Sequence, residues 1–227
     1  MSGEADALVG VALRALEYVH EDTVVGLGTG RAATAFVRAL GARVADGMKV
    51  RGVPTSDSTE ALARELGIGL LTLEEAGRID TTFDGADEVS PALDLIKGYG
   101  GALVREKIVA ASSKRLIILV GDEKIVARVG GRGKLPVEVV PFGRTLCERE
   151  LVALGCTPNL RVDGGKPYIT DNHNFILDCV VEPIDDPVGL ERRILAIPGV
   201  LGTGLFVGMA DVVLVQEGDQ VRAMERA

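Results

Sequence analysis

The chain has 227 residues, 47% of them apolar and 26% charged, with 25 basic against 33 acidic side chains and a formal net charge of −8. At roughly 150 residues per domain, this length allows one large domain or two smaller ones, with a core that needs no metal or disulfide. The acidic balance and the lack of a Lys/Arg-rich run argue against a protein that grips nucleic acid or an anionic membrane, so an anionic partner has to be small and held locally.

The first pattern along the chain is helical. Leu8, Val11, Ala12, Ala15, Leu16 and Val19 recur at three- and four-residue steps and predict an amphipathic helix over 4–19. A short apolar strand over 23–28 runs into a glycine turn. Ala32, Ala35, Phe36, Ala39 and Leu40 then restore the helical period, with Gly41 as the expected stop. A strand over 48–53 follows. Asp57 with Glu60 forms a capping pattern for a helix reaching Leu66, and Gly67 closes it. Strands are expected over 69–73 and 78–83, the second ending in Asp84-Gly85-Ala86-Asp87. The stretch Lys97-Gly98-Tyr99-Gly100-Gly101 opens a helix running to Ala111, and Arg115 to Val120 forms a buried strand with Leu-Ile-Ile-Leu-Val in one block. Apolar strands alternating with helices predict a parallel sheet covered on both faces.

The pattern changes near residue 130, where Gly130-Gly131-Arg132-Gly133 reads as a hinge or loop. Beyond it are expected a strand (137–140), a helix (145–154), a strand near Leu160, a strand (174–181), a helix (188–197) and a strand (201–207). That β-α-β-β-α-β order is the split βαβ pattern of ferredoxin-like domains. A last strand over 211–216 returns to the first sheet. The expected fold is therefore α/β, with a Rossmann-like parallel-sheet domain over 1–130 and 208–227 and a smaller ferredoxin-like α+β domain over 131–207.

Cys147, Cys156 and Cys179 are an odd number without Cys-x-x-Cys spacing, as in reduced thiols of a cytosolic protein. With only His20 and His173 beside them, a zinc site is not expected. The acidic opening Met-Ser-Gly-Glu-Ala-Asp is unlike a signal peptide, and no run nears the roughly 20 apolar residues that span a bilayer. A cytoplasmic location follows as an expectation.

Four segments can carry chemistry. Gly26-Leu27-Gly28-Thr29-Gly30 lies between a strand and a helix, where backbone N–H groups and the helix start favour a phosphate. Arg31 stands where a dinucleotide fingerprint needs Gly or Ala, so a monophosphate fits better, and a ligand-free tight turn stays open. Asp84-Gly85-Ala86-Asp87-Glu88 falls at a strand end and suits a metal, a polyol or a merely solvated turn. Lys97 at its glycine loop can meet an anion or a developing oxyanion. Glu106, early in the next helix, can abstract a proton alpha to a carbonyl, although Arg105-Glu106-Lys107 alone also reads as a solvated face. Lys124 lies just past the apolar strand.

Together these segments resemble ribose-5-phosphate isomerase of the A type over nearly the whole chain. The carrying residues are Gly26–Gly30, Thr55-Ser56-Asp57-Ser58-Thr59, Phe83–Glu88, Ile96-Lys97-Gly98-Tyr99-Gly100-Gly101-Ala102-Leu103, Arg105-Glu106-Lys107-Ile108 and Leu135-Pro136-Val137-Glu138-Val139. The resemblance implies a cofactor-free aldose–ketose isomerase interconverting ribose 5-phosphate and ribulose 5-phosphate, soluble and homodimeric, with no nucleic acid or membrane partner. In that pattern Glu106 matches the general base. Asp84 and Asp87, with Gly85 and Ala86 between them, match the acids at the sugar hydroxyls. Lys97, followed by Gly98, Tyr99 and Gly100, matches the active-site lysine, and Lys124 a further ligand contact. Thr29 and Gly30 match the phosphate-side loop. One departure stands out: Arg31 and Ala32 replace the usual Ser-Thr, exchanging two hydroxyls for a guanidinium that can hold a phosphate or mark a shifted substrate.

Two rival functions come from other classes. A coenzyme A transferase has a related sheet and a nucleophilic glutamate, but Asp84, Asp87 and Lys97 suit sugar chemistry better. A non-catalytic sugar-phosphate sensor would need a DNA-reading segment, and none is visible.

Overall fold

A computed structural model describes residues 8–226. The chain runs through α1 (Val9–Ala15), β1 (Thr23–Leu27), α2 (Arg31–Ala45), β2 (Val50–Pro54), α3 (Asp57–Glu65), β3 (Gly69–Leu70), the single-turn α4 (Leu73–Ala76) and β4 (Ile79–Gly85). It continues with β5 (Glu88–Val89), β6 (Leu95–Ile96), α5 (Leu103–Ala111), β7 (Ser113–Gly121), β8 (Lys134–Val139), α6 (Arg144–Ala153) and β9 (Thr157–Leu160). The remaining elements are β10 (Val162–Asp163), β11 (Lys166–Pro167), β12 (Phe175–Val180), α7 (Pro187–Leu195), β13 (Val200–Thr203), β14 (Leu205–Phe206), β15 (Val212–Glu217) and β16 (Gln220–Glu225).

Two compact units result. The larger comprises the chain up to Ala86, Arg105–Lys124 and the residues from Met209 onward; the smaller comprises Asp87–Val104 and Ile125–Gly208. The expected boundary near residue 130 is therefore displaced: residues 87–104 and 125–130 pack with the smaller unit, because β5 and β6 form a little sheet with β14.

The larger unit is built on a seven-stranded sheet of order β16-β15-β7-β4-β1-β2-β3, parallel except for the antiparallel β15–β16 pair. Leu116 to Val120 and Val212 to Val215 are buried, as strands covered on both faces must be. On one face α1 and α2 pack against the sheet, with Phe36 stacked on Phe83 at a centroid distance of 4.2 Å. On the other, Val109 of α5 meets Val24, Val53 and Ile79. Gln216 of β15 is buried; its side-chain oxygen accepts the N–H of Val11 at 2.6 Å and fastens α1 to the sheet.

Several boundaries move from their expected places for physical reasons. The first helix spans only Val9–Ala15 before a 3₁₀ turn, and its expected start at residue 4 lies outside the described residues. Gly41 does not stop α2. It is buried within the helix, where a Cβ would lie 2.7 Å from that of Leu66, so the glycine serves close packing. Ser56, not Asp57, caps α3, its hydroxyl accepting the N–H of Thr59 at 3.1 Å. The strand expected over 69–73 stops at Leu70, because Thr72 and Glu75 form a capping box that starts α4.

In the smaller unit a four-stranded antiparallel sheet has the order β13-β8-β12-β9, the ferredoxin-like arrangement. One face carries α6 and α7 over a core including Leu135, Val137, Val139, Leu177 and the buried Cys147 and Cys179. Alternation along β8 and β12 turns Pro136, Glu138 and Asp178 to the opposite face. There the fully buried Glu138 accepts from Thr170 at 3.0 Å and Asn174 at 2.9 Å. The single strand expected over 201–207 is split at Gly204, where a Cβ would meet the carbonyl of Lys97 at 2.3 Å.

Candidate active site

In the larger unit the candidate residues gather at the carboxyl ends of parallel strands. The N–H of Gly28 donates to Phe83 O at 2.9 Å, drawing the turn after β1 against the end of β4. Asp84, 1% exposed, accepts there: Oδ1 takes the N–H of Thr29 at 3.1 Å and that of Gly85 at 2.7 Å. Only glycine fits at 28, since a Cβ would come within 2.2 Å of that oxygen.

The hydroxyl of Thr29 is engaged within the protein. It lies 2.7 Å from the Thr55 hydroxyl, 2.8 Å from that of Ser56 and 3.2 Å from that of Thr59. Thr59 in turn donates to Gly28 O at 2.9 Å. These three hydroxyl residues fix the loop, a role the motif Thr55–Thr59 signalled only as a resemblance. Arg31 begins α2 and is exposed, while Ala32 behind it is buried. Gly30 precedes them with φ +103°, which only glycine adopts without strain. Lys124 closes the short turn after β7, at the same sheet edge. Glu106, 4% exposed, lies in the first turn of α5. Its neighbour Arg105 instead pairs with Asp57 at 2.7 Å.

In the smaller unit Asp87 accepts the N–H of Tyr99 through Oδ2 at 2.9 Å. Lys97 is 2% exposed; its N–H donates to Gly204 O at 2.9 Å and its ammonium lies 5.5 Å from the Phe206 ring centre. Gly98 and Gly101 have φ of +106° and +92°, and Gly101 N–H closes the turn onto Gly98 O at 3.1 Å. Gly100 is exposed at the tip. The Tyr99 ring turns away to its own unit's sheet: its hydroxyl donates to Lys134 O at 3.3 Å, and burial pushes the phenol well above its ordinary value.

Glu88, considered above with the two aspartates, is fully buried and holds a loop instead. Oε2 accepts the N–H groups of Gly130 at 2.6 Å and Gly131 at 3.1 Å, and Oε1 that of Arg132 at 2.9 Å. Among the described residues no three His, Cys, Asp or Glu side chains are grouped to hold a metal ion. All three cysteines are buried and free.

The family described as Ribose 5-phosphate isomerase A (phosphoriboisomerase A) matches residues 51–220. The chain belongs to the ribose-5-phosphate isomerase A family. Named members are close in sequence: ribose-5-phosphate isomerase A of Roseiflexus castenholzii is 51% identical over 217 residues, 94% of this chain and 93% of that one. That of Gloeobacter violaceus is 52% identical over 207 residues, covering 91% and 90%. In three dimensions the chain matches ribose 5-phosphate isomerase A from Methanocaldococcus jannaschii with TM-score 0.93 and 39% identity, over 97% of this chain and 98% of that one. A D-ribose-5-phosphate isomerase in complex with phospho-erythronic acid matches with TM-score 0.94, 38% identity and the same coverage. The expected α/β fold is thus the ribose-5-phosphate isomerase A fold.

Proposed function

We propose that Glu106 carries one proton between C2 and C1 of an open-chain pentose 5-phosphate, in a reaction that uses no cofactor. The reaction is the interconversion of ribose 5-phosphate and ribulose 5-phosphate. Glu106 takes the proton from C2, electrons move onto O1 to form an enediolate, and return of the proton to C1 leaves the carbonyl at C2. Lys97 supplies a fixed positive charge for the developing oxyanion. Asp84 and Asp87 accept from sugar hydroxyls, assist ring opening and pass protons between O1 and O2. The phosphate is taken at the Thr29-Gly30 loop, by the N–H of Gly30, by Arg31 and by Lys124.

The observation that carries this reading is the burial of Glu106. A carboxylate on a solvated face exchanges its proton with water, whereas a buried one can return it to the same substrate. The bound phospho-erythronic acid of the related structure supports an acyclic sugar-phosphate ligand. A coupled assay on ribose 5-phosphate beside arabinose and allose phosphates tests the reading. Turnover confined to the other sugars would overturn the substrate, and no turnover of any would overturn the mechanism. The family resemblance further supports a cytoplasmic homodimer, and the fully exposed Phe142 offers an apolar contact for one. Sedimentation equilibrium tests the dimer.

A further inference from the structure

On the helix-free face of the smaller unit's sheet, Arg161 reaches the underside of the Lys97 loop. Its side chain is 12% exposed, and Nη1 donates to the carbonyls of both Gly98 and Tyr99 at 3.1 Å. The rest of the guanidinium forms a two-pronged pair with Asp178, Nη2 to Oδ1 at 2.6 Å and Nε to Oδ2 at 2.9 Å. Lys134 stands behind, its ammonium 3.4 Å from the same carboxylate and 4.4 Å from the Tyr99 ring centre. Tyr168 packs against Gly101 and presents its ring 5.7 Å from the guanidinium carbon.

One peptide plane joins this brace to the chemistry. The Gly98 carbonyl that accepts from Arg161 and the Tyr99 N–H that donates to Asp87 belong to the same amide. A planar amide cannot turn one end without the other. Fixing the carbonyl therefore aims the N–H at Asp87. It also anchors the chain next to Lys97, whose own N–H is already tied to Gly204. Gly98, with φ +106°, has the backbone freedom to let this amide flip once the guanidinium is gone. A lysine could not replace the fork of donors that serves Asp178 and two carbonyls together.

We infer that Arg161, oriented by Asp178, is a positioning residue for isomerisation that sets the Lys97 loop and the Asp87 carboxylate at once. The inference rests on the roles given above to Lys97 and Asp87. Arg161→Gln should lower kcat by about 10²-fold, the effect of misplacing reacting groups by about 1 Å. KM and inhibition by inorganic phosphate should stay near wild type, because the phosphate contacts are elsewhere. Arg161→Lys should recover only part of the turnover.

Asp178→Asn, a milder change, should lose about tenfold in kcat in the same pattern, and it carries the test if Arg161→Gln does not fold. Lys97→Ala separates the two levels of the argument. If it keeps full turnover, the reading of Lys97 fails. If it loses turnover while a folded Arg161→Gln, or failing that Asp178→Asn, keeps kcat within about twofold of wild type and loses only thermal stability, the inference fails and the pair is a structural brace.

Discussion

The N–H of Thr29 ends on Oδ1 of Asp84, the same oxygen that takes the N–H of Gly85, so that carboxylate is aimed by two backbone amides. The bare Cα of Gly28 makes room for it, since a Cβ would overlap both the oxygen and the Asp84 backbone. Gly28→Ala should displace Asp84 and cost about 1–3 kcal/mol of stability as overpacking. The same change should lower kcat/KM by about 10²-fold. Thermal unfolding and steady-state kinetics on one preparation check both, and wild-type kinetics would remove Asp84 from the reaction.

Glu106→Gln keeps the shape of the side chain and removes its ability to carry a proton. Turnover should fall by about 10²–10⁴-fold, with inorganic phosphate still inhibiting. Ribose 5-phosphate deuterated at C2 should keep label at C1 of the ribulose 5-phosphate that the wild-type enzyme makes in H₂O, and the variant should make no such transfer. Near-full turnover in the variant would assign Glu106 to packing.

The Thr29 hydroxyl is engaged with Thr55, Ser56 and Thr59, and the phosphate on this loop is assigned above to the Gly30 N–H and Arg31. Arg31→Ala should weaken ribose 5-phosphate binding by about 1.5–3 kcal/mol, the worth of a hydrogen bond to a charged group. Arg31→Lys should recover part of it. Phosphate inhibition measured on both variants is the check, and unchanged constants would take Arg31 out of the site.

Both oxygens of Glu88 are taken by backbone amides, which removes it from any ligand set with Asp84 and Asp87. With Lys97 as the fixed cation, activity should persist in excess chelator. Abolished activity that magnesium restores would favour a metal-assisted isomerase instead.

Asp80 at the surface of β4 accepts from Lys114 at 2.6 Å and from Val24 N–H at 3.1 Å. The Lys114 ammonium first, then the Val24 N–H, hold its carboxyl below the usual value. A group depressed on folding contributes stability above its unfolded value and loses it as pH falls through the folded one. Asp80→Asn should therefore cost up to about 1 kcal/mol near neutrality, as for a part-exposed pair. That difference should vanish in strong acid. Urea unfolding across pH measures it, and a gap that persists in acid would show a cause other than charge.

The parallel sheet and the order of the smaller unit were legible because their strands are long enough to show apolar blocks or alternation. The two-residue strands β5, β6, β10 and β11 carry no period and were invisible. Ser56 was missed as a cap because Asp57 is an equally good capping type, and the backbone angles decide between them. Gly41 was misread as a stop, and the break at Gly204 left no signal, because the side chain or carbonyl that excludes a Cβ comes from a distant part of the chain. The acids, Lys97 and Glu106 stood out by motif. Arg161 did not, since its carbonyl partners lie 63 and 62 residues away and carry no side-chain signature.

The sheet order also bears on how the protein is made. Strand β15 lies beside β7, and Leu116 N–H meets Asp211 Oδ2 across a separation of 95 residues. The long second segment of the smaller unit, Ile125–Gly208, leaves the ribosome between these two strands. At about 5–20 residues per second, β7 waits for its neighbour for roughly 5–20 s. For that interval the nascent chain displays the apolar block from Leu116 to Val120 with an open edge, a feature prone to pairing with another chain. Folding during synthesis therefore leaves the block from Leu116 to Val120 open along one edge until β15 emerges, although the finished sheet buries it.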